Sequence, residues 1–309
     1  MRLLVILDPL NSLNPKKDTS LAIMREAASR GHELFVAEQG DLVLRGNQVS
    51  AYCKTFAFQA VAYLIGESTS TPLQDFDAVL MRKDPPFDME YIYSTYLLEL
   101  AEKQGAKVLN RPSSVRDWNE KLSVAQFAQF APPFVVTRNM DLIREFLAEY
   151  GDIVVKPLDG MGGSGIFRVR GGDPNIGVIL ETITQLEQCT VMAQRYLPEI
   201  KDGDKRILMI NGEAVLYALA RIPKAGETRG NLAAGGTGRA QPLSKRDREI
   251  AESLGSTLRE RGLFLVGLDV IGDYLTEINV TSPTCMVEIA AQSECKPAAL
   301  LVDALEKLG

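Results

Sequence analysis

Lys156-Pro157-Leu158-Asp159-Gly160-Met161-Gly162-Gly163-Ser164-Gly165 is the stretch on which the reading of this chain turns. Residues 152–155 before it form a short apolar strand. Ile166-Phe167-Arg168-Val169-Arg170 after it alternates as a second strand. Gly160, Gly162 and Gly165 match G-x-G-x-x-G, but a dinucleotide fingerprint needs a helix directly after the glycines to receive the pyrophosphate. A strand stands there instead. The stretch therefore reads as a strand–glycine loop–strand flap, whose backbone N–H groups can close over phosphates without a Cβ in the way. Lys156, leaving a buried strand, supplies charge. The competing reading is a plain hairpin turn with a solvated lysine, which needs fewer glycines. G-x-x-x-x-G-K-[ST] is absent, which excludes an ordinary P-loop enzyme.

Moving toward the C-terminus, strands dominate. Residues 206–210 and 214–219 are joined by Asn211-Gly212, a strong hairpin signal. A two-residue turn there pairs Arg206 with Tyr217 and Arg221 with Asp202, leaving Asp204, Arg206 and Arg221 on one face. Two arginines beside an aspartate suit a phosphoryl clamp and equally suit a cross-strand ion-pair network. Residues 222–239 hold glycines and alanines around Arg229, which suits a mobile lid over a ligand and equally a disordered surface loop. A late hairpin spans 263–270 and 275–280. Glu277 and Asn279, two apart, share a face. A three-residue turn sets Asp269 opposite Glu277, whereas a two-residue turn sets it on the other face. Two carboxylates and an amide carbonyl are the oxygen donors that Mg²⁺ prefers, and the apolar flanks favour burial over a solvated face.

Toward the N-terminus the pattern is βαβ. Residues 3–7, 34–37, 77–81 and 107–109 read as strands. Helices fall between them, one capped by Asp18 and one carrying Ile92, Tyr96 and Leu100. This rhythm implies an α/β class with an open, mainly parallel sheet. Residues 117–127 look helical and include Lys121, whose bland role is a solvated lysine. Trp118 is assigned to the core and His32 to the surface.

The 309 residues carry 34 basic and 40 acidic side chains, a formal charge of −6, with 46% hydrophobic residues. That composition is globular and argues against a nucleic-acid wrapper, which needs a basic face. Cys53, Cys189, Cys285 and Cys295 form no C-x-x-C pair, and one histidine excludes a two-histidine metal site. Residues 3–7 read as a first strand rather than a signal peptide. The apolar run 55–66 is too short for the ~20 residues of a membrane span. A soluble, cytoplasmic protein is expected.

Taken together, these features resemble the ATP-grasp ligases and, more closely, the prokaryotic glutathione synthetase family. The resembling strings are Met81-Arg82-Lys83-Asp84-Pro85-Pro86-Phe87-Asp88, residues 156–163, Asp202-Gly203-Asp204-Lys205-Arg206, residues 227–236, and Leu275-Thr276-Glu277-Ile278-Asn279-Val280-Thr281-Ser282-Pro283-Thr284. The resemblance implies an ATP-grasp fold with three parts. These are an N-terminal open parallel-sheet (pre-ATP-grasp) substrate domain at 1–121, a small α+β lid domain at 122–200 and a C-terminal antiparallel-sheet catalytic domain at 201–309. It implies ATP-dependent joining of γ-glutamylcysteine and glycine through an acyl phosphate, in a homotetramer, with no nucleic-acid or membrane partner.

By motif match, Lys121 and Lys156 contact nucleotide phosphates under Gly162 and Gly163. Gln194, Tyr196 and Leu197 read adenine, and Asp204 lies near the ribose. Asp269, Glu277 and Asn279 hold Mg²⁺, with Mn²⁺ as a substitute. Arg206, Arg221 and the lid's Arg229 act as catalytic charges. One departure stands: Val287 occupies a place where the family pattern carries arginine. It keeps in view a ligase with a different acceptor; a third alternative is a non-catalytic nucleotide-binding regulator on the same fold.

Overall fold

The computed structural model describes residues 1–59, 62–227, 229–230, 232 and 235–308. The N-terminal part begins with β1 (Arg2–Ile6), α1 (Thr19–Ser29) and β2 (Glu33–Ala37), followed by β3 (Leu42–Arg45), β4 (Gln48–Phe58) and β5 (Tyr63–Pro72). It continues with β6 (Ala78–Met81), α2 (Met89–Lys103), β7 (Val108–Leu109) and α3 (Pro112–Asp117). The expected parallel core is present, in the order β2-β1-β6-β7. Antiparallel β3, β4 and β5, absent from the sequence reading, extend it to seven strands. Asp18 caps α1 as expected, accepting from the Leu21 amide at 2.7 Å.

The expected helix across 117–127 does not form. α3 ends at Asp117, and a 3₁₀ turn follows at Leu122–Phe127. Asn119 explains the break, because its side-chain oxygen accepts from the backbone of Lys121 at 3.1 Å and Leu122 at 2.8 Å. Such local bonds compete with helical ones.

The middle of the chain is a four-stranded antiparallel sheet flanked by two helices. In chain order these are β8 (Phe134–Thr137), α4 (Met140–Tyr150), β9 (Asp152–Pro157), β10 (Phe167–Arg170), α5 (Ile176–Ile183) and β11 (Val191–Arg195). The sheet order is β10-β9-β11-β8. Ile143, Ile153, Val169 and Leu180 give it a core of its own.

The C-terminal sheet runs β14-β13-β12-β15-β16. Its strands are β12 (Asp204–Ile210), β13 (Glu213–Ile222), β14 (Thr237–Pro242), β15 (Leu265–Ile271) and β16 (Tyr274–Asn279), with α6 (Lys245–Glu260) before the last pair. α7 (Met286–Gln292) and α8 (Pro297–Glu306) close the chain. Trp118 and Val79 share one apolar cluster with Ile250, Val266 and Ile278, so the first and last sheets are packed as one body. No helix among the described residues is long and apolar enough to cross a membrane.

Two registers decide where charges fall. In the β12–β13 pair, Asn211-Gly212 is the two-residue turn expected, and Ile210 faces Glu213. A bulge between Ile207 and Met209 then shifts the pairing, so Asp204 faces Arg221 and Arg206 faces Leu219. This corrects the expected partners Tyr217 and Asp202, while the shared face of Asp204, Arg206 and Arg221 stands. In the β15–β16 pair the turn is the two-residue Gly272-Asp273, with Ile271 opposite Tyr274. A bulge between Asp269 and Val270 restores Asp269 to its place opposite Glu277. Two extra residues on β13 make the first change and so keep the parity of the faces, whereas one extra residue on β16 makes the second and reverses it.

Candidate active site

The sheet registers lay a charged row across three strands. Arg206 on β12 pairs with Asp269 on β15, and Asp269 pairs with Glu277 on β16. Gly267 faces Asn279 two pairs on, on the same face of the sheet. The Arg206 guanidinium donates from Nε to Asp269 Oδ1 at 2.5 Å and from Nη2 to Oδ2 at 3.1 Å. Arg221 reaches Asp269 Oδ2 at 2.8 Å and also pairs with Asp204. Arg206, Arg221 and Asp269 are buried, at 6%, 3% and 3% exposed, and Asp204 is partly buried. Burial alone would raise the Asp269 pKa, but the two arginines hold it well below the usual carboxylate range. Asp204 goes the other way, pushed up by burial with Asp269 adding to the shift. A buried carboxylate this close to another cannot share one pair of arginines equally.

Two lysines meet Glu277 from other elements. Lys121 Nζ lies 3.5 Å and Lys156 Nζ 3.9 Å from Glu277 Oε1. Lys156, at the exit of β9, donates to the Thr276 carbonyl at 3.2 Å, and burial pushes its pKa down to about 8. Lys121 donates to the Gly160 carbonyl at 2.5 Å and so ties the glycine loop to the row. Gly162 and Gly163 take φ of 61° and 83°, a region that side chains resist.

These groups line one cavity of about 330 Å³. Gln194, Tyr196 and Leu197, at and beyond the end of β11, form another part of its wall. Gln194 is buried, and its Nε2 has no partner. An orphan donor there fits a ligand acceptor. Arg229 pairs with Glu227 at 2.6 Å and also lines the cavity. Of the expected lid, Thr228, Asn231, Ala233 and Ala234 lie outside the described residues.

The donor set fits a hard divalent cation. Glu277 and Asn279 offer oxygens from one strand face, and Asn279 Nδ2 is tied to the Gly267 carbonyl at 3.1 Å, which leaves its oxygen to accept. Asp269 stands opposite, already paired with arginine. Two carboxylates and one amide suit a metal that completes its shell with phosphate and water.

Comparison with known proteins fits this geometry. Residues 1–116 match the family model for the N-terminal domain of prokaryotic glutathione synthetase, and residues 120–294 match its ATP-grasp domain. The chain belongs to the prokaryotic glutathione synthetase family. It is 60% identical to the glutathione synthetase of Nitrosomonas europaea, over 99% of this chain and 98% of that protein. It is 58% identical to that of Pseudomonas aeruginosa, over 99% and 97%. Among solved structures, D-cycloserine synthetase DcsG aligns with a TM-score of 0.70 over 99% of this chain and all of that one, at 17% identity. The ATP-grasp ligase PsnB, complexed with its minimal precursor, Mg and ADP, aligns at 0.63 and 17%, over 99% and 97%. At such identity these two show the fold alone, and that fold is ATP-grasp.

Within this glutathione synthetase family member, all fourteen residues singled out from sequence line the same cavity. Val287, the departure, is half-buried on α7 and is not among the lining residues. Other cavity residues escaped the sequence reading. Arg168 lies over the Tyr196 ring, 3.4 Å from its centroid, and is clamped bidentately by Asp152 at 2.9 and 2.5 Å. Only the alternation of β10 hinted at it. Asp84 accepts from the Ser282 hydroxyl, which joins the first sheet to the loop after β16. Glu120, beside Lys121, carried no signal beyond its neighbour.

Proposed function

We propose that the chain is an ATP-dependent ligase that joins γ-glutamylcysteine and glycine to give glutathione, ADP and phosphate. The observation that carries the reading is the meeting of Lys121, Lys156, Arg206, Arg221 and the Asp269–Glu277–Asn279 row around one cavity under a glycine flap. Relatives named glutathione synthetase at 52–60% identity over nearly the whole chain support the choice of substrates.

The chemistry follows from the groups present. The dipeptide's C-terminal carboxylate attacks the γ-phosphorus, ADP leaves, and an acyl phosphate remains. Glycine's amine then displaces phosphate and gives up a proton. Because a carboxylate is already nucleophilic, the protein supplies position and charge rather than a Ser, Cys or His nucleophile. Lys121 and Lys156 hold phosphate oxygens. Gln194, Tyr196 and Leu197 seat the base, with Asp204 near the ribose. Arg206, Arg221 and Arg229 face the charge that builds on the transferring group. Asp269, Glu277 and Asn279 would hold Mg²⁺, or Mn²⁺ in its place. When bound, that cation neutralises phosphate charge. The flap of Gly162 and Gly163 excludes water from the acyl phosphate.

The separate core of the middle sheet supports a division into a substrate domain at 1–121, a lid domain at 122–200 and a catalytic domain at 201–309. The protein works in the cytoplasm as a homo-oligomer, taken as a tetramer. Met89, Tyr93, Tyr96 and Leu100 support self-association: they form an exposed apolar stripe along α2. Across a twofold axis, an antiparallel copy sets Met89 beside Leu100 and Tyr93 beside Tyr96, a self-complementary contact.

The test is ADP release by purified protein with ATP and Mg²⁺, adding γ-glutamylcysteine, glycine or both. Strong release only with both, alongside glutathione, is expected. Release that needs neither, or a different amine, overturns the assignment. Glu277→Ala should abolish metal-dependent turnover and keep a cooperative thermal transition.

A further inference from the structure

Glu120 makes a set of contacts that the reaction does not by itself explain. β16 ends at Asn279, so the next backbone N–H groups have left the sheet ladder. Glu120 Oε1 takes them both, accepting from the Val280 amide at 2.8 Å and the Thr281 amide at 3.1 Å. The same oxygen accepts from the Thr281 hydroxyl at 2.9 Å. One residue earlier on β16, the Ile278 amide donates to the Glu120 backbone carbonyl at 2.8 Å. Glu120 therefore grips the chain between Glu277 and Asn279 and again directly after Asn279. Its other neighbours belong to the same apparatus: Asn119 donates to the Leu158 carbonyl at 3.1 Å, and Lys121 donates to Gly160.

We propose that Glu120 is a positioning residue for the divalent cation. It fixes the end of β16 so that the oxygens of Glu277 and Asn279 stand at the separation that a small cation accepts. The inference rests on the cation site read above. Metal geometry tolerates only about 0.2 Å of error, and groups that orient the ligands carry much of the affinity. What matters is the reach of Oε1 to three donors. The carboxylate's charge is secondary, since backbone amides and a hydroxyl bind a neutral carbonyl oxygen as well.

Two conservative variants separate reach from charge. Glu120→Gln keeps an oxygen at the same distance and loses the charge. Glu120→Asp keeps the charge and withdraws the oxygen by one methylene. Mn²⁺ is titrated into the full-length protein with ADP present and followed by electron paramagnetic resonance. ADP binding without metal and thermal unfolding are measured alongside. E120Q should bind Mn²⁺ within about threefold of the parent, and E120D more weakly by about tenfold or more. Metal-free ADP affinity should be unchanged in both. E120D matching the parent, or E120Q falling as far as E120D, overturns the proposal. E277A serves as the control for the site itself. If it binds Mn²⁺ like the parent, the cation site is wrong and the ground for Glu120 goes with it; if it loses Mn²⁺ while E120D keeps it, only the role of Glu120 fails.

Discussion

Asp18 shows how much one residue can be asked to do. Its side chain caps α1, and burial pushes its carboxyl pKa up, against the pull of the Leu21 amide and the Arg82 charge. The folded state thus holds the proton more firmly than the unfolded chain. Ionised Asp18 is a cost above its folded pKa, and that cost fades as pH falls toward the unfolded value. Asp18→Asn keeps the cap without the charge. In urea unfolding at pH 7 the variant should therefore equal or exceed the parent, and the parent should gain on it as pH is lowered toward 4.5. Asp18→Ala should lose about 1 kcal/mol, the usual worth of a cap. A parent that falls behind D18N on acidification would contradict this. At the residue scale the cap was legible, because Asp before an apolar helical face is a local signal. Glu120 was not, since its three donors lie about 160 positions away in the chain.

Hairpins were half legible. Asn211-Gly212 announced its turn, and the parity of Asp204, Arg206 and Arg221 put them on one face as expected. The partners came out differently because a bulge between Ile207 and Met209 is a backbone event that no residue type there signals. The β15–β16 pair shows the same effect in reverse. Its two-residue turn alone would have separated Asp269 from Glu277, and a bulge brings them together. The strand–loop–strand form around the glycines was legible, with β9 and β10 pairing Val155 with Phe167. Gly162 offers a clean probe of it. No atom lies within 4 Å of where its Cβ would be, yet its φ is 61°. Gly162→Ala meets no clash and pays only the left-handed backbone cost of about 1–2 kcal/mol. Raised KM for ATP in steady-state assays is expected, with a melting temperature lowered by no more than a few degrees. An unaltered KM would mean that the loop need not hold this shape over the nucleotide.

Across the whole molecule, the parallel core and the late antiparallel sheet were legible from alternation of strand and helix. β4 and β5 were not. β5 is exposed along most of its length and reads Tyr-Leu-Ile-Gly-Glu-Ser-Thr-Ser-Thr-Pro, with no buried face to impose a period of two. Self-association belongs to this scale. Tyr93→Glu with Leu100→Glu places charge in the α2 stripe, and light scattering should report a smaller species than the parent, with each subunit still folded by circular dichroism. A parent that is already monomeric, or a variant of unchanged mass, would remove α2 as the contact. A last consequence concerns modularity. The two family models divide the chain near residues 116–120, which invites treating the parts as interchangeable cassettes. The bonds do not respect that seam. Asn110, from the first part, donates to the carbonyls of Leu265 and Val280 at 2.8 Å each and accepts from the Leu265 amide at 2.7 Å. Glu120, at the seam, takes the next two amides. A chimera spliced there would inherit the β15–β16 hairpin braced by a foreign residue 110. Recombination between distant relatives should succeed when the splice moves the segment 110–121 together with β15 and β16, and fail when it parts them.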